Sequence, residues 1–395
     1  MKELYGGAKI KKNIGILLLI SILIVTSISL GGVAYADSGT DGSGSEVTFA
    51  GGNGTETDPY IIETAEQLDA VRNNLRASYR LNADIEFTEA DFAEGGKFYN
   101  DGKGWIPINN FSGTFDGNGH VIRNIVINSS TNYTGFFGSC GSDAKIMNMG
   151  IENGDIIGDF CVGGIVAWIK GGLIEKCYYS GIVNGNHTVG GIAGSCYGGT
   201  VIRACYNTGS VTGSAVGGIV GSCNGESTIK DCYNANSLTG YSAGGIVGSL
   251  ESGEISSCYN VGNIKKGSKL GEIAGTNNKG SITNCYYIEA QLLGVGNGTD
   301  TATACLLERF AVQATFEGFN FDAVWTIDEN GLYRFPTLQD LPNDVTFGLT
   351  ENFADFAGGY GIKSSPYIVT NAQQLNNVRN YLDASFKLAN DIEFT

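Results

Sequence analysis

In the middle of the chain, apolar positions come in short runs separated by Gly, Asn and Ser, and the pattern of runs returns every 27 residues. A glycine pair opens each unit: Gly163-Gly164-Ile165-Val166-Ala167, Gly190-Gly191-Ile192-Ala193-Gly194, Gly217-Gly218-Ile219-Val220-Gly221, Gly244-Gly245-Ile246-Val247-Gly248, and Gly271-Glu272-Ile273-Ala274-Gly275, where the second Gly is lost. An isoleucine follows (Ile174, Ile202, Ile229, Ile255, Ile282), then a Cys-Tyr pair, then an aliphatic residue such as Val183, Val211, Leu238 or Ile264. Such short runs bounded by turn residues suit strands rather than helices. A fixed period of this length means stacked supersecondary units. The predicted fold is therefore all-β, a parallel β-helix or β-solenoid with one coil per repeat of about 27 residues.

Stacking at the strand spacing of ~4.8 Å turns each sequence column into a ladder of like residues. The Ile and aliphatic columns become the core. Asn207, Asn234 and Asn260 form a column read as an amide ladder capping a turn. Ile202 and Cys205 lie three apart, so strict alternation would put them on opposite faces; a bend or bulge between them is needed to bring both inside.

The flanking pattern differs. Thr64 followed by Gln67 is a capping-box signal, and Leu68, Val71 and Leu75 make one apolar helix face, so a short helix precedes the coils. Residues 356–395 repeat residues 49–88, with Pro366 matching Pro59 and Leu375 matching Leu68. The expected organisation is an export signal at 1–36, a linker at 37–48, an N-terminal cap with a short helix at 49–104, the solenoid at 105–290, a closing cap at 291–345, and a linker with the start of a second module at 346–395. Lys2, Lys9, Lys11 and Lys12 before an apolar run, with Ala34-Tyr35-Ala36 after it, carry the export reading. An uncleaved membrane anchor is the alternative for the same segment.

Composition narrows the partners. Glycine fills 60 of 395 positions, about twice the usual ~7%, as close backbone packing at coil corners requires. The formal charge is −16, and −19 once the four Lys and one Glu of residues 1–36 are removed, which argues against nucleic acid or anionic lipid. Membrane association is expected only through the N-terminal segment. Five of the ten cysteines (Cys177, Cys205, Cys232, Cys258, Cys285) share one column and are read as a structural ladder of buried thiols. Bridges between neighbours such as Cys205 and Cys232 stay open, since adjacent rungs lie within disulfide range. Neither a Cys-x-x-Cys nor a His pair is present to suggest a metal, and no cofactor is expected.

With these residues in view, the chain resembles the GLUG-motif proteins of bacterial surfaces. The matching stretches are Gly217 to Gly221 and its copies, Cys205 to Gly213, Gly113 to Ile125 and Val324 to Gly331. The resemblance implies a parallel β-helix module in a large secreted or surface protein, often of Gram-positive bacteria. Some relatives in that family are immunoglobulin A-cleaving zinc metallopeptidases, whose chemistry sits on a His-Glu-x-x-His helix. This sequence has two histidines, His120 and His187, and no such motif, so the peptidase activity does not transfer.

Asp116-Gly117-Asn118-Gly119-His120 lacks the later acidic residues of a calcium loop and reads as a turn. The charged residues of the coils change sign from rung to rung, with no recurring acidic pair for glycosidase-type chemistry, so no catalytic residue is assigned. If each Cys faces inward, its neighbour faces out, which makes Tyr178, Tyr206, Tyr233, Tyr259 and Tyr286 an exposed aromatic stripe. That stripe is the candidate surface for a glycan or protein of a host or neighbouring cell, or else a self-stacking ladder that shields the strand edge. The expected role is a non-enzymatic surface stalk or adhesin-like domain; the alternatives are a carbohydrate-active β-helix enzyme, or the non-catalytic front of a larger surface metallopeptidase.

Overall fold

The computed structural model describes residues 39–40, 46–289, 292–327, 335–342, 366–380 and 385–392. The export segment at 1–36 lies outside the described residues, as does part of the Val324 to Gly331 stretch. Within the expected linker, Gly39–Thr40 pairs antiparallel with Glu46–Val47.

The centre is a parallel β-solenoid of about six turns. Each regular coil carries five strand columns, which we letter A to E in chain order. Column A includes Lys145–Met147, Leu173–Glu175, Val201–Arg203, Thr228–Lys230, Glu254–Ser256 and Ser281–Thr283. Its isoleucines pair in register, Ile146 with Ile174, then Ile202, Ile229, Ile255 and Ile282. Column B carries the tyrosines, column C the aliphatics from Ile156 to Ile264, column D Val162, Val189 and Val216, and column E the strand after each glycine pair. The side chains these columns turn inward form one continuous core of fully buried Ile, Val, Leu and Cys.

The bend demanded between Ile202 and Cys205 is a single left-handed residue. Asn148, Lys176, Ala204, Asp231, Ser257 and Asn284 all have φ between 50° and 54°. One such residue resets the alternation, so Ile202 and Cys205 are both fully buried. Conformations of this kind cost a non-glycine residue about 1–2 kcal/mol. Here the ladder holds them: the N–H groups of Lys176, Ala204 and Asp231 donate to carbonyls of Arg203, Lys230 and Ser256 in the next coil at 3.1 Å each.

The glycine pairs serve close approach rather than unusual φ. A Cβ on Gly191 would sit 2.3 Å from the Gly218 carbonyl oxygen and 2.4 Å from Asn207 Cγ, and one on Gly218 would sit 2.2 Å from the Gly245 oxygen. No real Cβ tolerates such contacts, so each coil must lack side chains there for the next to stack.

The helix at the N-terminal end is Ala65–Asp69, continued by a 3-10 turn over Ala70–Asn73. Thr64 Oγ1 accepts from the Gln67 N–H at 3.3 Å, and Gln67 Oε1 accepts from the Glu63 N–H at 2.7 Å. Leu68 and Val71 are buried in the same core. The second opening refolds identically: Tyr367 pairs with Phe386 as Tyr60 pairs with Tyr79, and a helix Ala372–Asn377 capped by Asn371 lies between.

The segment expected to close the solenoid does two things. Leu293–Gly298 and Thr303–Cys305 pair parallel with Lys269–Asn277 and Tyr286–Ile288 of the last coil, with Val295 in the main core. Beyond these strands, the chain runs back along the flank as a strap. Ser257 donates to the Gly318 carbonyl at 3.0 Å, Trp325 Nε1 donates to Asp231 at 3.1 Å, Tyr206 donates to the Pro342 carbonyl at 3.1 Å, and Asp340 pairs with Lys176 at 3.0 Å. Those partners, Lys176, Tyr206, Asp231 and Ser257, come from four successive coils. The strap's gain is apolar burial: its Phe310, Phe316, Phe319, Trp325, Phe335 and Leu338 share one buried cluster with the tyrosines of the flank.

Candidate functional site

The tyrosine flank is the most ordered aromatic feature of the molecule. Tyr178, Tyr206, Tyr233 and Tyr259 stack with ring centroids 4.9, 4.9 and 5.0 Å apart and interplanar angles of 8°, 10° and 2°. Each side chain does point away from the Ile and Cys core, as alternation requires. The stripe is nevertheless not exposed, which corrects the sequence expectation. Tyr178, Tyr206, Tyr233, Tyr259 and Tyr286 are all buried in a second apolar cluster with Phe310, Phe316, Phe319, Trp325, Phe335 and Leu338 of the strap. The Tyr259 hydroxyl donates to the Pro336 carbonyl, and Tyr286 exchanges hydrogen bonds with Glu317. Burial pushes the phenols of Tyr233 and Tyr259 well above their ordinary range. These five residues therefore face the chain's own strap rather than solvent, and nothing in the sequence of a coil announces a cover that lies further along the chain.

The cysteine column stands in the core. Cys177, Cys205, Cys232, Cys258 and Cys285 are buried free thiols. Each donates to the carbonyl two residues earlier, at 3.2, 3.2, 3.1, 3.2 and 3.3 Å. Burial raises the thiols of Cys177, Cys205 and Cys258, which keeps them protonated and unreactive.

A second ladder crosses the core boundary. Asn207 Nδ2 donates to Asn234 Oδ1 at 2.8 Å, and Asn234 Nδ2 donates to Asn260 Oδ1 at 2.8 Å. The same amides close tight turns on the Gly209 and Gly262 N–H groups. The ladder ends where the glycine pair is broken: Asn260 Nδ2 donates at 2.8 Å to Glu272, the residue standing in place of the second Gly. That carboxyl is buried, and desolvation pushes its pKa up to about 7 against the lowering effect of the Asn260 hydrogen bond.

The densest ionisable cluster sits beside the N-terminal end of the tyrosine stack. His120 Nδ1 contacts Asp84 at 3.0 Å, Arg123 pairs with Asp84 and with Glu152 at 2.8 Å each, and Tyr178 donates to Glu152 at 2.7 Å. Arg123 holds the Asp84 carboxyl below its usual range. Glu152, itself paired with Arg123, accepts from Tyr178, so the cluster anchors the first tyrosine of the stack. His120 belongs to the turn of Asp116 to Gly119, where Asn118 N–H donates to Asp116 at 2.9 Å. No group of three or more potential metal ligands is found among the described residues.

Sequence reasoning missed one feature. Phe160, His187 and Tyr241 are exposed residues at the tight corner between columns C and D, with the Phe160 and His187 rings 5.0 Å apart. The signal available was an aromatic next to a corner glycine, as in Gly240-Tyr241. Because no repeated identity marks the column, periodicity could not reveal it.

These features define a parallel β-solenoid whose aromatic flank is covered by its own C-terminal strap. No protein-family model matches the chain, so the GLUG resemblance rests on its residues. The chain is 39% identical over 132 residues to a protein provisionally named as a Gly-rich membrane protein of Evansella cellulosilytica, and 37% identical over 120 residues to halomucin of Haloquadratum walsbyi. The matches cover 32% and 29% of this chain but 14% and 1% of those relatives. Among solved structures, a Bacteroides ovatus chain provisionally named as an immunoglobulin A1 protease superposes with a TM-score of 0.60 at 26% identity, covering 78% of this chain and 99% of that one.

Proposed function

We propose that this chain is a rigid, non-enzymatic repeat module of an exported bacterial surface protein, where it serves as a spacer or stalk. The observation that carries this reading is the strapped flank. The one repeated aromatic column is filled by the chain itself, which ties several coils together from outside while the core ties them from within. In a solenoid each coil otherwise contacts only its neighbours, and a lateral strap spanning several coils opposes bending. The second opening at 367–388, with the fold of the first, favours a tandem array. Relatives named as a Gly-rich membrane protein and as halomucin, matched over short shares of their length, suit a module carried within larger proteins. An adhesin role remains part of the proposal, as does a Gram-positive source.

A second reading is favoured by the Bacteroides ovatus neighbour: the module forms a non-catalytic part of a larger surface peptidase. Small-angle scattering of the full chain, with limited proteolysis, tests the spacer. A protease-resistant rod over residues 46–342 is expected; a collapsed or flexible particle cut between coils overturns it. Turnover of a polysaccharide by the same preparation overturns the non-enzymatic assignment.

A further inference from the structure

The corner between columns C and D presents one residue per coil to solvent. The ladder pairings of the adjoining residues place Asn132, Phe160, His187, Ser214, Tyr241 and Ser268 in a single outward column. All six are exposed. Phe160 is 51% and Tyr241 60% exposed, so more than half of each residue's surface remains in water. Leaving such area wet forfeits burial energy, and nothing in the described chain covers it, in contrast to the tyrosine flank.

Three features of the column point to its occupant. First, it combines three rings with hydroxyl and amide groups, which suits a ligand with apolar faces and polar edges. Second, none of its six residues is an acid or a base other than His187, and Asp159, the carboxylate next to Phe160 in sequence, is engaged by Asn186 Nδ2 at 2.8 Å. Third, the protein carries a net charge of −16, which repels anionic polymers, while the column offers no carboxylate to a cationic one. The rung spacing puts Phe160 and Tyr241 three steps apart, ~14 Å, with Ser214 at the gap between the His187 and Tyr241 rings. We infer that this ridge is a binding site for a neutral polysaccharide, its sugar rings stacking on Phe160, His187 and Tyr241 and its hydroxyls meeting Ser214 and Asn132. The site is separate from the spacer role and does not depend on it.

The test uses the full chain in affinity electrophoresis through gels containing hydroxyethyl cellulose, xylan, galactomannan or dextran, with alginate as the anionic counterpart. Retardation by at least one neutral polymer is expected. The Phe160→Ala/Tyr241→Ala double variant should weaken it about tenfold, as the loss of two stacking rings implies. Ser214→Arg, which keeps both rings but places a long charged side chain between them, should weaken it as well, and so covers the case in which the double variant folds poorly. The proposal is overturned if no neutral polymer retards the chain, if both variants migrate like the parent, or if alginate retards it as strongly.

Discussion

Tyr178, Tyr206, Tyr233 and Tyr259 stack at 4.9 to 5.0 Å on one flank and are covered by the strap, whereas Phe160, His187 and Tyr241 share a column on another corner and remain exposed. Both are outward columns of aromatic rings in the same parallel solenoid. They differ in regularity and in cover. A column that repeats one residue type presents a uniform surface, against which a single segment can pack over several coils. A column that varies from rung to rung offers no such surface. In this molecule strict repetition accompanies burial, and the irregular column is the one left accessible.

The sharpest way to break the comparison is to remove the cover. Trp325 is fully buried, lies 5.7 Å from Tyr259 and 6.1 Å from Tyr233 by ring centroid, and bonds Asp231. Trp325→Ala should destabilise the fold by about 3–5 kcal/mol, the range for deleting a large buried aromatic. Thermal unfolding would read the loss, and increased binding of a hydrophobic dye would report the uncovered tyrosines. An unchanged melting temperature would mean that the strap rests on the flank without stabilising it.

The repeats made most of this legible in advance. The Ile, Cys and Asn columns could be assigned from identity alone, because a residue that returns every 27 positions must serve the same environment in each coil. The bend before Cys205 could be required but not described, since Lys176, Ala204, Asp231 and Ser257 share a left-handed conformation without sharing a residue type. Outward orientation of the tyrosines was readable from strand alternation, but burial was not. Alternation says which way a side chain points and is silent about what a distant segment lays over it. The same limit hid the strap, whose contacts join residues far apart in sequence, such as Lys176 and Asp340.

A buried polar column sharpens the rule further, because it must terminate in something that accepts its last donor. Glu272 does so for the amide ladder, at the cost of burying a carboxyl whose pKa rises from 4.5 to about 7. The folded state therefore holds a proton that the unfolded state has already released between those values. Stability from this group is fully present below pH 4.5 and is lost as pH rises through 7, by up to ~3 kcal/mol for a shift of this size. Tyr287 and Asp300 stand near the same end of the ladder. Asp84 and Glu251, whose carboxyls are lowered by Arg123 and by Ser249 respectively, act with the opposite sign, and their contribution is lost only as pH falls through their own folded values. Comparing denaturant unfolding of the parent and Glu272→Gln from pH 4.5 to 8 isolates the effect. The difference should grow in favour of the variant as pH rises, and a constant difference would show that Glu272 titrates normally.

The smallest expected effect tests the exposed column as structure rather than as ligand site. Phe160 and Tyr241 keep more than half of their surfaces in water, and exposed substitutions away from caps, cores and networks usually change stability by less than ~0.5 kcal/mol. Tyr241→Ala should fall in that range, with Phe160→Ala slightly higher because its ring also meets His187 at 5.0 Å. Tyr233→Ala, a change of the same residue type on the covered flank, should cost about 3–5 kcal/mol. Denaturant midpoints measured side by side give the contrast directly. If Tyr241→Ala costs as much as Tyr233→Ala, the exposed ring is holding its corner together, and the division between a covered structural column and an open one collapses.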